Sequence, residues 1–327
     1  MSRRSDMARG ADVGGACNPA QDDSLSRGRP QISRKGFLTA LAVSGFGAGC
    51  VGAGAARGGS SERLAFRLGM TGFTYWKYDV DGMLRSMRLL GLHDLSVKDY
   101  HLGYDATEAA CEAFRAKCAK QGVAPYAVGP IYMGSEAEVD RYFAYARRVG
   151  VKLVVGVPVD RLGKRRLSSR KVCEYVSKKC EETGIRYAIH NHGPSMPELF
   201  PTGRSAYEMV KDLSPKLGLC LDVGHEFRSG LDPAETVRAC ADRLFDVHLK
   251  DEDAPTDKGG CQVIGRGLID WPAFIRALCE VRYSGVCALE FERDFDDNRH
   301  QIGECIGYFK CLMRLCGRVK FNGAETS

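Results

Sequence analysis

The sequence predicts an α/β protein built as one (β/α)₈ barrel, a TIM barrel, preceded by an export leader. Three observations carry that prediction. From residue 64 short apolar runs alternate with longer helical patterns, the alternation repeats eight times in order, and five of the seven histidines fall at or just after the ends of the apolar runs. Alternating β and α segments build a parallel sheet covered by helices. Eight repeats favour closure into a barrel over an open sheet, and active sites of such barrels lie at the C-terminal strand ends. Of the 327 residues, those left after a leader number roughly 270, a length that suits one barrel.

The apolar runs place strands at Ala65–Met70, Asp94–Val97, Ala124–Val128, Lys152–Val157, Arg186–Asn191, Leu217–Asp222, Leu244–Leu249 and Val286–Phe291. Helical periodicity fills the intervals near 80–90, 106–121, 135–149, 168–183, 204–213, 233–241, 271–281 and 301–316. Helix starts agree with this phasing. Asp232-Pro233-Ala234-Glu235 reads as an N-cap, Pro at the first helical position and an acid at N3. Asp270-Trp271-Pro272 is a second start, with Pro one position later, and Ser135 to Glu138 has capping-box spacing. The domain organisation is a leader over 1–57, a barrel over 64–318 and a tail over 319–327.

The leader reading rests on Ser33-Arg34-Lys35-Gly36-Phe37-Leu38, which resembles a twin-arginine motif with Lys as the second basic residue. A Gly/Ala-rich apolar run and an A-x-A site at Ala53-Gly54-Ala55 follow, so a periplasmic or envelope location is expected. No run suggests a membrane span in the mature form. Residues 1–57 hold eight basic groups against four acids, so most of the net charge of +6 belongs to the leader. The body is close to neutral, which argues against a nucleic-acid partner. Among fourteen cysteines there is no C-x-x-C pair, so a cysteine zinc module is not expected. Cys111 with Cys118, and Cys173 with Cys180, sit seven apart, one helical face but roughly 10 Å, too far for a disulfide. Buried thiols are expected there and at Cys220 and Cys287.

The strand ends collect polar groups. Strand two ends in Lys98, Asp99 and His101; strand five in His190-Asn191-His192; strand six in Asp222 and His225; strand seven in His248-Leu249-Lys250-Asp251; strand eight in Glu290-Phe291-Glu292. Side chains alternate along a strand, so His190 and His192 share a face, as do His248 and Lys250, and Glu290 and Glu292. Ile189, Leu221, Leu249, Leu289 and Phe291 then face the helices. Inward Asp, Glu and two His are costly in a closed core unless a cation or mutual pairing compensates. His190, Asp222, His248 and Glu290 are therefore the candidate ligands of one divalent metal ion; the mixed set suits Mn, Zn, Co or Fe, and Mg less well. Glu290, Lys98, His190 and Lys250 are candidate proton-transfer groups. His101, His192, His225, Glu292 and Arg266 are candidate substrate contacts. Each has a plainer reading: Asp222 could cap the next helix, Glu290 could pair with Lys98 or Lys250, and Gly265-Arg266-Gly267 could be an ordinary turn instead of an anion site.

HNHGP (His190–Pro194), GLCLDVGH (Gly218–His225), DVHLKD (Asp246–Asp251) and YSGVCALEFE (Tyr283–Glu292) together resemble the sugar phosphate isomerase/epimerase family of the xylose-isomerase-like barrel superfamily, over about residues 66–315. Members similar to ketose 3-epimerases hold one divalent ion with Glu, Asp, His and Glu from strands five to eight. The resemblance puts Asp222, His248 and Glu290 in the last three places and His190 where the usual Glu stands. It matches His225 to a residue that contacts substrate hydroxyls, and finds no match near Lys250–Ala254 for an Arg of those epimerases. The HNH version is similar to the inosose-dehydratase-like branch. The resemblance implies a small-molecule sugar or keto-sugar substrate and an isomerase or epimerase reaction by proton abstraction next to a carbonyl, through an enediolate stabilised by the metal. Its alternative is elimination, as in a sugar dehydratase or lyase. A zinc-dependent apurinic-site endonuclease needs an Asp-x-His after strand seven and a strand-three His, and the sequence has neither. A non-catalytic sugar-binding barrel is the third reading.

Overall fold

The computed structural model describes residues Leu64–Cys316; the leader over 1–57 and the tail over 319–327 lie outside the described residues. Eight parallel strands run in chain order: β1 (Arg67–Thr71), β2 (Asp94–Val97), β3 (Ala124–Met133), β4 (Leu153–Leu162), β5 (Arg186–His190), β6 (Leu217–Asp222), β7 (Leu244–Leu249) and β8 (Val286–Leu289). Each pairs with its sequence neighbours, and β8 pairs with β1, so the sheet closes into the predicted barrel. Helices α1 (Val80–Leu90), α2 (Glu108–Lys120), α3 (Glu136–Val149), α4 (Arg170–Thr183), α5 (Gly203–Val210), α6 (Val223–Arg228), α7 (Pro233–Ala239), α8 (Trp271–Glu280) and α9 (Arg299–Cys316) follow the strands. Among the described residues no helix is long and apolar enough to cross a membrane.

Local chemistry explains the helix starts. Asp232 accepts the Ala234 N–H at 2.8 Å and Asp270 the Ala273 N–H at 2.8 Å, each ahead of a Pro in the first helical turn. Ser135 caps α3 by accepting the Glu138 N–H, but Glu138 does not close the box; its carboxylate takes the Gly134 N–H at 2.6 Å and Arg161 at 2.7 Å. The core between sheet and helices includes Ile189, Leu221, Leu249, Leu289 and Phe291, each at most 1% exposed, as the alternation requires. Cys111, Cys118, Cys173, Cys180, Cys220 and Cys287 are buried free thiols.

The structure extends the reading in three places. Strands β3 and β4 outrun their apolar segments, and β4 turns back through an antiparallel strand Arg165–Ser168. Charged residues at 160–161 end the apolar run, and only the partner strand holds that stretch extended. Helix α6 is six residues long, too short to show a period. Strand β8 stops at Leu289 because Thr74, in a short helical turn after β1, takes over the ladder: its hydroxyl donates to the Leu289 carbonyl at 3.1 Å and accepts the Phe291 N–H at 2.9 Å.

Candidate active site

The register of the barrel assembles the cluster. His190 and Asp222 are the last residues of β5 and β6, His248 lies opposite Asp222 on β7, and Glu290 follows β8 directly. Their ligand atoms all lie within 4.8 Å of one another, and all four side chains are nearly or wholly buried. His190 Nε2 is 3.5 Å from Asp222 Oδ2 and 3.4 Å from Glu290 Oε2, and His248 Nδ1 is 3.1 Å from Glu290 Oε2. Asp222 divides the work of its two oxygens. One oxygen caps α6 by accepting the His225 N–H at 2.8 Å, and the other, Oδ2, faces the cluster with no hydrogen bond. Both ring nitrogens of His190 also lack hydrogen bonds. Buried polar atoms without partners call for an explanation. Two imidazoles and two carboxylates converging on one point fit a divalent ion of the zinc, manganese, cobalt or iron type. Cys220 Sγ stands within the same reach of His190 and His248.

Lys250 is the strongest charge beside this cluster. Its ammonium is buried, 3.0 Å from Asp222 Oδ2, 2.9 Å from Glu292 Oε1 and 3.6 Å from Glu290 Oε2. Burial alone would lower its pKa, but the three carboxylates outweigh burial and hold the group charged. The first turn of α6 packs directly on it: a Cβ at Gly224 would come within 2.9 Å of Lys250 Cγ, so only glycine permits the approach. Burial likewise opposes a charge on His190, yet the carboxylates of Asp222 and Glu290 beside its Nε2 raise it to about 9. That raised value marks where the cluster attracts positive charge. Asp222 is held well below the carboxylate range by the charges of Lys250 and His190, against its burial.

His192 and His225 form a stacked wall next to His190, with ring centroids 6.1 Å apart. Burial and the His190 charge bring His192 down to about 3, so it is neutral. Its partners then assign the tautomer: Nδ1 donates to the His190 carbonyl at 3.2 Å, and Nε2 accepts from the Tyr132 hydroxyl at 2.6 Å. Lys98 donates to the Pro130 carbonyl at 2.9 Å, and its pKa is lowered by burial against Asp99, Glu290 and Glu292.

Two sequence candidates do not join the cluster. His101 turns its Nε2 to the carbonyls of Tyr75 and Tyr78, each at 3.2 Å, and so clamps the segment after β1. Arg266 is exposed and bidentate to Glu304 of α9, both contacts at 2.7 Å. The Gly265 and Gly267 N–H groups are taken by the buried Asp251 carboxylate, which also accepts from Trp271 Nε1. The loop is therefore a turn around an internal carboxylate, and the anion-site alternative for Gly265–Gly267 is corrected on that ground.

Sequence reasoning passed over four groups. Asp246 sits one inward position below His248, with Oδ2 3.7 Å from His248 Nε2, and Tyr126 donates to both its oxygens at 3.0 and 3.1 Å. The alternation that paired His248 with Lys250 also picks out Asp246. Tyr126 and Tyr132 come from β3, whose residues carry no acid–base pattern. Glu252 is buried beside Lys250, pushed up to about 7 by burial against the attraction of Lys250 and Arg228. It lies in a two-residue strand that pairs with Cys261–Gln262, beyond any apolar run.

A closed parallel barrel with this cluster at its C-terminal mouth defines a class of protein, and sequence comparison gives the family. The profile of the xylose isomerase-like TIM barrel family matches residues 71–310, so the chain belongs to that family. It is 30% identical over 131 residues to an inosose dehydratase of Geobacillus kaustophilus (strain HTA426), covering 35% of this chain and 42% of that protein. It is 30% identical over 158 residues to an inosose isomerase of Bacillus subtilis (strain 168), covering 45% of this chain and 56% of that protein. The chain thus matches about two fifths to just over half of the length of these relatives. Among solved structures, the IOLI protein with a bound zinc atom is similar at a TM-score of 0.61 and 21% identity, over 79% of this chain and 100% of that one. That likeness is one of fold.

Proposed function

We propose that the chain is a metal-dependent enzyme that isomerises or epimerises a keto-sugar by moving a proton at the carbon next to the carbonyl. The observation that carries this reading is the convergence of His190, Asp222, His248 and Glu290 from four successive strand ends within 4.8 Å, with Lys250 against two of them. The inosose dehydratase and inosose isomerase relatives support a small polyhydroxylated ketone as the substrate class. His190, Asp222, His248 and Glu290 would hold the ion, and the zinc in the IOLI protein supports that assignment. When bound, a divalent cation supplies Lewis-acid polarisation of the substrate carbonyl.

The chain's own residues carry the proton. Glu290 is the carboxylate placed to take it from carbon, and its charge is held against burial by His248, Lys250 and His190. The Lys250 ammonium, fixed between Asp222 and Glu292, is placed to return a proton. His225, neutral beside His192, offers a ring nitrogen to substrate hydroxyls, while both nitrogens of His192 are taken by the His190 carbonyl and the Tyr132 hydroxyl. The buried walls exclude water from these transfers.

A second reading is elimination of water. It is favoured by His190 in the place where epimerases carry a second carboxylate, which leaves one carboxylate base and one ammonium acid, and by the dehydratase relative. Lys250 would then protonate a departing hydroxyl. Both readings are tested by incubating metal-reconstituted protein in deuterated water with a panel of keto-sugars and ketocyclitols, following exchange and water loss by NMR. Glu290→Gln is expected to slow the reaction at least about 10²-fold. A panel in which no member exchanges or eliminates would sink both.

A further inference from the structure

We infer that Asp246, held by Tyr126, is the positioning residue that fixes His248 as a metal ligand. The inference rests on the reading of His248 as a ligand given above. His248 points one nitrogen into the cluster, Nδ1 at 3.1 Å from Glu290 Oε2, and the other away from it; that Nε2 has no hydrogen bond and faces Asp246 Oδ2 at 3.7 Å, a charge contact just beyond hydrogen-bond reach. Imidazole presents a lone pair at one nitrogen only when the other carries the proton, and a carboxylate behind the ring selects that tautomer. Asp246 is placed to do this. It lies two residues before His248 on the same inward face of β7, and both side chains are fully buried.

The surroundings of Asp246 argue for a use of its charge. Among the described residues its ion-pair contact is His248, with no lysine or arginine within pairing distance. Its oxygens accept the Tyr126 hydroxyl from across the barrel, and Oδ1 also accepts the Val247 N–H at 3.1 Å. These bonds aim the carboxylate but do not neutralise it. A buried carboxylate without a cation is costly, and an apolar residue would fill a barrel layer more cheaply. A cation on the far side of His248 balances the charge through the ring. Tyr126 fixes the carboxylate, the carboxylate fixes the ring, and the ring presents Nδ1.

The test compares Asp246→Asn with the native chain by zinc affinity, in competition with a chromogenic chelator, and by the thermal midpoint of the metal-free protein. Asn keeps the shape and one acceptor oxygen for Tyr126, and it removes the charge and the second acceptor oxygen. Zinc binding is expected to weaken about 10–100-fold, while the metal-free midpoint stays level or rises. Tyr126→Phe is expected to weaken zinc binding in the same direction by a smaller factor. Unchanged affinity in Asp246→Asn would overturn the inference. So would a metal-free midpoint that falls as far as the zinc-loaded one, or a chain that does not fold, because either makes Asp246 a structural carboxylate. A native chain that binds no zinc, manganese, cobalt or iron sinks the metal-site reading itself, whereas native binding with an indifferent Asp246→Asn sinks only the positioning role.

Discussion

Lys250 shows how much one buried charge can hold together. Three carboxylates, Asp222, Glu290 and Glu292, lie within 3.6 Å of its ammonium, and all of them are near or within the barrel core. Removing one partner of a buried ionic cluster leaves uncompensated charge. Lys250→Met is therefore expected to destabilise the metal-free protein by about 3–5 kcal/mol, measured by denaturant unfolding, and to abolish turnover. Part of that loss should return with a divalent ion, because the ion restores positive charge beside Asp222 and Glu290. An equal loss with and without metal would show that Lys250 and the ion do not share those carboxylates. His190 belongs at this scale as well. Its identity was legible in HNHGP, but its contact with both Asp222 and Glu290 was not, because strand alternation says which way a side chain points and not what it meets.

Among the elements, the segment between β7 and α8 is organised by a single side chain. Asp251 accepts N–H groups from Gly265 at 2.8 Å, Gly267 at 3.2 Å and Ile269 at 3.4 Å, and the Trp271 indole at 2.9 Å. Each buried donor left unpaired costs about 1–3 kcal/mol. Asp251→Ala should lower stability by roughly 3 kcal/mol or more and expose residues 253–268 to limited proteolysis; a variant as protease-resistant as the native chain would refute that role. The elements themselves were largely legible. Strands β2, β6 and β7 match their predicted bounds and α1 its predicted range, because buried parallel strands are short, mostly apolar runs and α1 carries a cap. The strand at Arg165–Ser168 and helix α6 were not legible. The first depends on pairing with charged residues of β4, and the second on a cap that Asp222 supplies while also facing the site. Arg266 was misread for a related reason: a glycine-flanked loop before a helix suggests free N–H groups, and only the folded chain brings Asp251 to them.

At the scale of the whole molecule, the barrel and the metal reading are coupled. A ligand that binds only the folded state stabilises it, by about 2.7 kcal/mol when present at a hundred times its dissociation constant. For a domain of this size that shift raises the melting temperature by about 5–10 °C. Zinc or manganese added to chelator-treated protein should produce such a rise in calorimetry, and Glu290→Gln or His248→Ala should remove most of it. A melting temperature indifferent to every divalent ion would count against a metal centre in the barrel mouth.

The sequence by itself determined the barrel, the order of its strands, the inward faces, and the four ligand candidates at the ends of β5 to β8. Those features follow from hydrophobic periodicity and from chain order, which are local. Tertiary structure decided the rest. The closed register set Asp222 beside His248, brought Tyr126 under Asp246, wrapped Gly265–Gly267 around Asp251, and drew His101 away to the segment after β1. Hydrogen bonds and ion pairs between residues distant in sequence depend on which strand lies across the barrel and at what height. That information exists only once the sheet has closed.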